Sequence, residues 1–217
     1  MTRYAAVLGI ALLAAVGALP AQAQNGYSFL DADSSAVKYR VAATASRMAC
    51  KDLRGLGGRQ TTILSAEMVA ASERTPEFCR VLGVIAPEIR FEVALPSAWN
   101  RRLYMRGNGG FAGESLEAPP RIVQRDAALR HGFAAAQTDT GHRAAGEPLG
   151  AFAADYQKTV DYAFRAVHET AQAAKRIARA YYDRSAAYSY FDGCSTGGRQ
   201  GPRLGSRVNG ARRLQLR

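Results

Sequence analysis

The 217 residues carry 29 Lys and Arg against 18 Asp and Glu, and 47% of them are hydrophobic, a balance that excludes a disordered polyelectrolyte and a membrane protein with several spans. Net charge is +11, but five of those charges (Arg203, Arg207, Arg212, Arg213 and Arg217) crowd an acid-free stretch at residues 201–217 and a sixth is Arg3, leaving an ordinary +5 for the rest. That stretch has no aromatic side chains interleaved with its arginines, so nucleic acid is not an expected partner.

The N-terminus reads as an address. Arg3 precedes an uncharged run from Ala5 to Leu19, and Ala21-Gln22-Ala23 has the small-residue form of a cleavage site, which predicts a signal peptide over 1–23 and a processed chain beginning at Gln24. The run is shorter than the roughly 18 apolar residues of a spanning helix, so export to the periplasm or the medium is expected, with no membrane contact after cleavage. In an oxidising compartment disulfides persist, and Cys50 and Cys79 are the natural pair; their bridge would close a loop of about 30 residues and stabilise the fold by about 3–4 kcal/mol. Cys194 is then left over.

Residues 24–200 show no repeat or linker and are expected to form one domain. The stretch up to about residue 80 is mixed and predicts no firm element. From there the pattern sharpens. Ile89, Phe91, Val93 and Leu95 alternate with Arg90, Glu92 and Ala94, predicting a strand with one buried face that ends at Pro96. Leu103-Tyr104-Met105 predicts a second strand, broken by Gly107-Asn108-Gly109-Gly110. Residues 121–131 space Ile122, Val123, Ala127 and Leu129 as a helix with Gly132 as its stop, and Phe133 to Gln137 reads as a buried strand. One long helix is predicted between about Asp155 and Tyr182, with Val160, Phe164, Val167, Ala171, Ala174, Ile177, Ala178 and Tyr181 on its apolar face. Ala187 to Phe191 predicts a further strand running into Asp192-Gly193-Cys194-Ser195-Thr196-Gly197. Strands alternating with helices imply an α/β fold, a mostly parallel sheet with helices on both faces.

Gly193-x-Ser195-x-Gly197 matches G-x-S-x-G, the turn between strand and helix that presents a nucleophilic serine in α/β hydrolases. Side chains at the two glycine positions would collide with the neighbouring strand and helix. Acyl transfer builds charge on a carbonyl oxygen, and in this fold backbone N–H groups from the residue after the nucleophile, here Thr196, and from the loop after the third strand stabilise it. Gly107, Asn108, Gly109 and Gly110 form that loop. A phosphate loop would end in G-K-[ST], and a dinucleotide loop needs G-x-G-x-x-G; GNGGFAG satisfies neither. Of the three histidines, His131 sits at a helix end and His168 within the long helix, both structural positions. His142 follows Thr138-Asp139-Thr140-Gly141 at the end of a strand, where it could line the cleft.

The segments LYMRGNGGFAGE, FAAAQTDTGH, DYAFRAVHET and YFDGCSTGGRQ resemble the tannase/feruloyl esterase family, serine esterases of the α/β-hydrolase fold that include mono(2-hydroxyethyl) terephthalate hydrolase. The resemblance runs from about Cys50 to Gln200. It implies an exported esterase whose partner is a small aryl carboxylic ester, galloyl, feruloyl or related, with Ser195 as nucleophile, Thr196 as one oxyanion donor and another donor within Gly107 to Gly110. It also explains the odd cysteine: the family bridges the residue before the serine to a cysteine beside the catalytic histidine, and Cys194 holds that position. The 22 residues after Ser195 contain no His, Asp, Glu or Cys, so the fold expected here is the N-terminal part of an α/β hydrolase, inactive by itself, with later strands and the lid missing. No cofactor is expected, since the calcium the family often carries belongs to that lid. The basic stretch 201–217 is expected to be foreign to the fold, because a helix after Ser195 would have to pass Pro202 and Gly205. A non-catalytic exported protein whose basic tail binds polyanions is the alternative.

Overall fold

The computed structural model describes residues 42–206 and 214–216. The predicted signal peptide at 1–23 lies outside the described residues. Among the described residues seven strands form one mixed sheet: β1 (Thr61–Val69), β2 (Phe78–Ile85), β3 (Ile89–Pro96), β4 (Arg102–Arg106), β5 (Ala134–Thr138), β6 (Tyr188–Asp192) and β7 (Leu214–Leu216), in the spatial order β1-β2-β3-β5-β4-β6-β7. Pairing is antiparallel from β1 through β3 to β5 and parallel among β5, β4, β6 and β7. The parallel character is thus confined to one half. The reason is connection length: three residues join β2 to β3, far too few for the crossover a parallel pair requires.

Helices cover both faces. On one, α1 (Pro119–Arg130) packs Ala127, Ala128 and Leu129 against Phe78, Ala94, Tyr104 and Phe133. On the other, α3 (Ala166–Tyr182) packs Val167, Ala174, Ile177 and Ala178 against Val81, Phe91, Val93 and Met105. Being covered on both sides, β3 has no solvent face, contrary to its alternating pattern: Glu92 and Ala94 are as buried as Phe91 and Val93. Glu92 is tolerated there because Arg80, Arg125 and Gln137 all donate to its carboxylate. Arg80 also pairs with Glu117. Cys50 and Cys79 are bridged, with Cα atoms 5.6 Å apart, which ties the 3₁₀ turn Cys50–Leu56 to β2.

The predicted long helix is divided. α2 (Tyr156–Val160) starts at Asp155, whose Oδ1 accepts from the Gln157 and Lys158 N–H groups, and a π-helical turn, Asp161–Arg165, separates α2 from α3. The extra residue in that turn shifts the helical register, so Phe164, expected on the apolar face, is exposed, while Asp161 is buried. The predicted break at Pro202 is also absent: α4 (Thr196–Ser206) passes through it. Pro202 is exposed and the carbonyl its ring faces belongs to Gly198, while Leu204 turns inward to the core and Arg203 donates to the Ala163 carbonyl at 2.7 Å. β7, inside the stretch 201–217 expected to be foreign to the fold, in turn pairs with β6.

Candidate active site

β4, β5 and β6 run parallel, so their C-terminal ends lie on one edge of the sheet and deliver three loops there. β6 ends at Asp192 and α4 begins at Thr196, leaving three residues for the reversal. Ser195 has φ +57°, a left-handed backbone that non-glycine residues seldom adopt. The turn is tight enough that a Cβ on Gly193 would lie 2.6 Å from the carbonyl carbon of Gly197. On its other side Gly197 faces the loop after β4: a Cβ on Gly107 would come within 2.9 Å of the Gly197 Cα. The collisions anticipated from the motif are therefore real, and glycine lets strand, turn and loop approach backbone to backbone. Cys194 and Ser195 are exposed, and Cys194 carries no disulfide.

The four residues of the Gly107–Gly110 loop divide into two pairs. Gly107 N–H donates to the Asp192 carbonyl at 2.8 Å and Asn108 N–H to Gln200 Oε1 at 3.0 Å, so both are spent on holding the loop against β6 and α4. The N–H groups of Gly109 and Gly110 make no hydrogen bond among the described residues, and both glycines are exposed. Thr196 occupies the first position of α4, where a backbone N–H has no intrahelical acceptor. Free donors on two segments thus flank the serine. The segments are tied together, because the Gly110 carbonyl accepts from Thr196 Oγ1 at 2.7 Å and from Tyr162 Oη at 3.1 Å.

Several contributors to this edge went unread in the sequence. Asp192 accepts from Tyr104 Oη at 3.0 Å and from Arg106 Nη1 at 2.6 Å, fixing the end of β6 to β4; burial, reinforced by Asp192, pushes the Tyr104 phenol far above its ordinary range. After β5, Asp139 Oδ1 accepts from the Arg90 and Gly141 N–H groups, both at 2.9 Å, while burial pushes its carboxyl up to about 6. Tyr162 reaches Gly110 from the π-helical turn, which the regular apolar spacing of Val160, Phe164 and Val167 does not signal.

The histidines are placed clearly. His142 is buried, its ring stacked on Phe152 at 3.9 Å between centroids, with Nε2 2.9 Å from the Phe111 carbonyl and Nδ1 3.4 Å from Thr140 Oγ1. A carbonyl only accepts, so Nε2 carries the proton, and burial lowers the pKa of the ring. His131 caps the C-terminus of α1 just before β5 begins, at the sheet edge opposite Ser195. His168 lies on α3 over Leu103 and Met105. Ser195 makes no hydrogen bond to any of the three among the described residues. Among the described residues no group of three His, Cys, Asp or Glu side chains is placed to hold a metal ion.

Comparison with known proteins places the chain among esterase relatives. An uncharacterized esterase of Xanthomonas campestris pv. campestris is 36% identical over 204 residues, covering 86% of this chain and 34% of the relative. Mono(2-hydroxyethyl) terephthalate hydrolase of Piscinibacter sakaiensis is 34% identical over 192 residues, covering 75% of this chain and 32% of the relative. The chain therefore spans about a third of the length of the curated relatives it matches. Among solved structures, an esterase from Aspergillus oryzae superposes with a TM-score of 0.59 at 24% identity, over 70% of this chain and 33% of that one, a likeness of fold. The family described as tannase and feruloyl esterase matches residues 72–211, past Gln200 where the sequence resemblance was expected to stop; with its sheet edge and serine turn, the chain belongs to that family.

Proposed function

We propose that this chain carries the nucleophile and oxyanion donors of an exported serine esterase acting on aryl carboxylic esters. The observation that carries the reading is Ser195 at φ +57° between Gly193 and Gly197, the second of which is in backbone contact with the Gly107–Gly110 loop. A general base takes the Ser195 hydroxyl proton as Oγ attacks the ester carbonyl; charge on the carbonyl oxygen is met by the N–H groups of Thr196, Gly109 and Gly110; the alcohol leaves with that proton, and water, deprotonated by the same base, hydrolyses the acyl-enzyme and returns a proton to Ser195. Each oxyanion donor of this kind is worth roughly 2.7–4 kcal/mol in the transition state. Membership of an esterase family and the names of the relatives support the reaction class, and the Cys50–Cys79 bridge supports an oxidising compartment.

A serine hydroxyl needs a base, and the contacts of His131, His142 and His168 leave none of them beside Ser195. The 217-residue chain by itself is therefore expected to hydrolyse methyl ferulate or methyl gallate no faster than its Ser195→Ala variant. Added imidazole supplies a diffusible base and should restore a rate that the Ser195→Ala variant lacks. Absence of any Ser195-dependent rate with imidazole present counts against the esterase reading, and a Ser195-dependent rate without it counts against the missing base.

A further inference from the structure

The donor loop does not hold itself in place. Gly109 and Gly110 are exposed, and their N–H groups bond to nothing among the described residues. Besides the bonds that tie Gly107, Asn108 and Gly110 to β6, α4 and Tyr162, the loop is anchored by the end of β5 and the segment that follows it. Asn108 Nδ2 donates to the Thr138 carbonyl at 2.9 Å, Gly113 N–H to the Asp139 carbonyl at 3.1 Å, and Ala144 N–H to the Gly113 carbonyl at 2.9 Å. His142 Nε2–H donates to the Phe111 carbonyl at 2.9 Å, immediately after the two free glycines. We propose that His142 is the positioning residue of the oxyanion loop, its Nε2–H holding the Phe111 carbonyl so that the Gly109 and Gly110 N–H groups stay presented toward Ser195. This rests on the esterase reading for its consequence in catalysis, but not for its geometry.

Three further features support it. The imidazole is held in an aromatic cluster, stacked on Phe152 and edge-on to Tyr162, the residue whose hydroxyl holds the Gly110 carbonyl. The loop in turn closes onto the ring: a Cβ on Gly113 would lie 2.7 Å from His142 Nε2. The segment that aims the ring is strained, since Thr140, β-branched and fully buried, has φ +68°. Strain of this kind, of order 1–3 kcal/mol, persists where surrounding structure enforces it, and here it directs His142 at Phe111. His142 is thereby withdrawn from the role of base and given that of a clamp.

The test is amide hydrogen exchange on the 217-residue chain and its His142→Ala and His142→Gln variants, because glutamine Nε2 can replace the lost donor. In the alanine variant the amides of Ala112, Gly113 and Ala144 are expected to exchange about tenfold faster, the loss of one hydrogen bond, while those of β3 and β5 are unchanged. The glutamine variant should recover most of that protection. Unchanged loop exchange in the alanine variant overturns the proposal, as does equal loosening of β3 and β5, which marks a general packing role, or failure of glutamine to rescue. In the imidazole-supported assay, kcat should fall about tenfold in the alanine variant with KM unchanged and recover with glutamine; a fall in KM alone overturns the catalytic consequence. The expected exchange pattern in a chain with no Ser195-dependent rate supports the clamp and counts against the esterase reading.

Discussion

The two halves of the sheet solve different problems. β1, β2 and β3 form an antiparallel meander, stapled by Cys50–Cys79 and by the Glu92 ion network, with three residues between β2 and β3. β4, β5 and β6 run parallel, so each is followed by a loop at the same edge, and four residues with left-handed backbones that are not glycine, Ala112, Thr140, Leu149 and Ser195, stand in those loops. Rigidity comes from the first half and strain is held in the second. A sheet that changes from antiparallel to parallel pairing gathers its loop ends on one side while keeping a stiff flank.

If that division is right, the largest loss of stability should come from the flank. Replacing Cys50 and Cys79 together by alanine should lower the unfolding free energy by about 3–4 kcal/mol on the loop-closure model, measured by urea denaturation, while Ser195-dependent chemistry in imidazole persists in the folded fraction. Gly193→Ala should act on the other half. Its Cβ meets backbone atoms, which cannot rotate away, so a loss of about 3 kcal/mol is expected together with loss of any Ser195-dependent rate. Equal effects of both substitutions on the chemistry would dissolve the distinction between flank and edge.

The parallel half was the more legible in the sequence, although it is the more strained. Its strands are short apolar runs closed by glycine motifs, and the G-x-S-x-G spacing marks a turn whose geometry admits few other residues, so β4, β5, β6 and the turn from β6 into α4 lie where expected. Partners set by tertiary contact were not legible. Nothing local distinguishes Gly107 and Asn108, whose amides are consumed by Asp192 and Gln200, from Gly109 and Gly110, whose amides remain open. The alternation in β3 suggested one wet face because Glu92 is charged, and only the arrival of Arg80 and Arg125 from other elements makes its burial tolerable. Helix α4 was discounted for Pro202, a local penalty that the packing of Leu204 outweighs.

Asp139 offers a gentler probe of the strained edge. Burial raises its carboxyl from 3.8 to about 6, so the folded chain binds this proton more tightly than the unfolded chain does. Stability from this group is fully present below pH 4 and falls as pH rises toward 6, by about 2–3 kcal/mol at 1.36 kcal/mol per pH unit. An asparagine side chain at this position would keep an oxygen for the Arg90 and Gly141 N–H groups without the buried charge. The Asp139→Asn variant should therefore be the more stable chain at pH 7.5 and lose that advantage by pH 4.5 in paired urea titrations. A difference independent of pH would show that the carboxylate is not the source.

The smallest expected effect lies in the double hold on Gly110. Its carbonyl accepts two hydroxyl bonds, from Thr196 Oγ1 and Tyr162 Oη, so losing either leaves the other. Tyr162→Phe alone should cost about 0.5–1 kcal/mol, and Thr196→Ala about 1 kcal/mol, since each removes one neutral hydrogen bond and leaves the acceptor partly satisfied. The double variant leaves the carbonyl with neither hydroxyl, and the two losses should then exceed their sum by about 0.5–1 kcal/mol, the coupling typical of residues sharing one network. Additivity would mean that the helical turn at Asp161–Arg165 and the start of α4 grip the loop independently. Coupling would mean that the π-helical turn, which displaces Phe164 to the surface in order to bring Tyr162 inward, serves the loop beside Ser195 rather than the packing of α3.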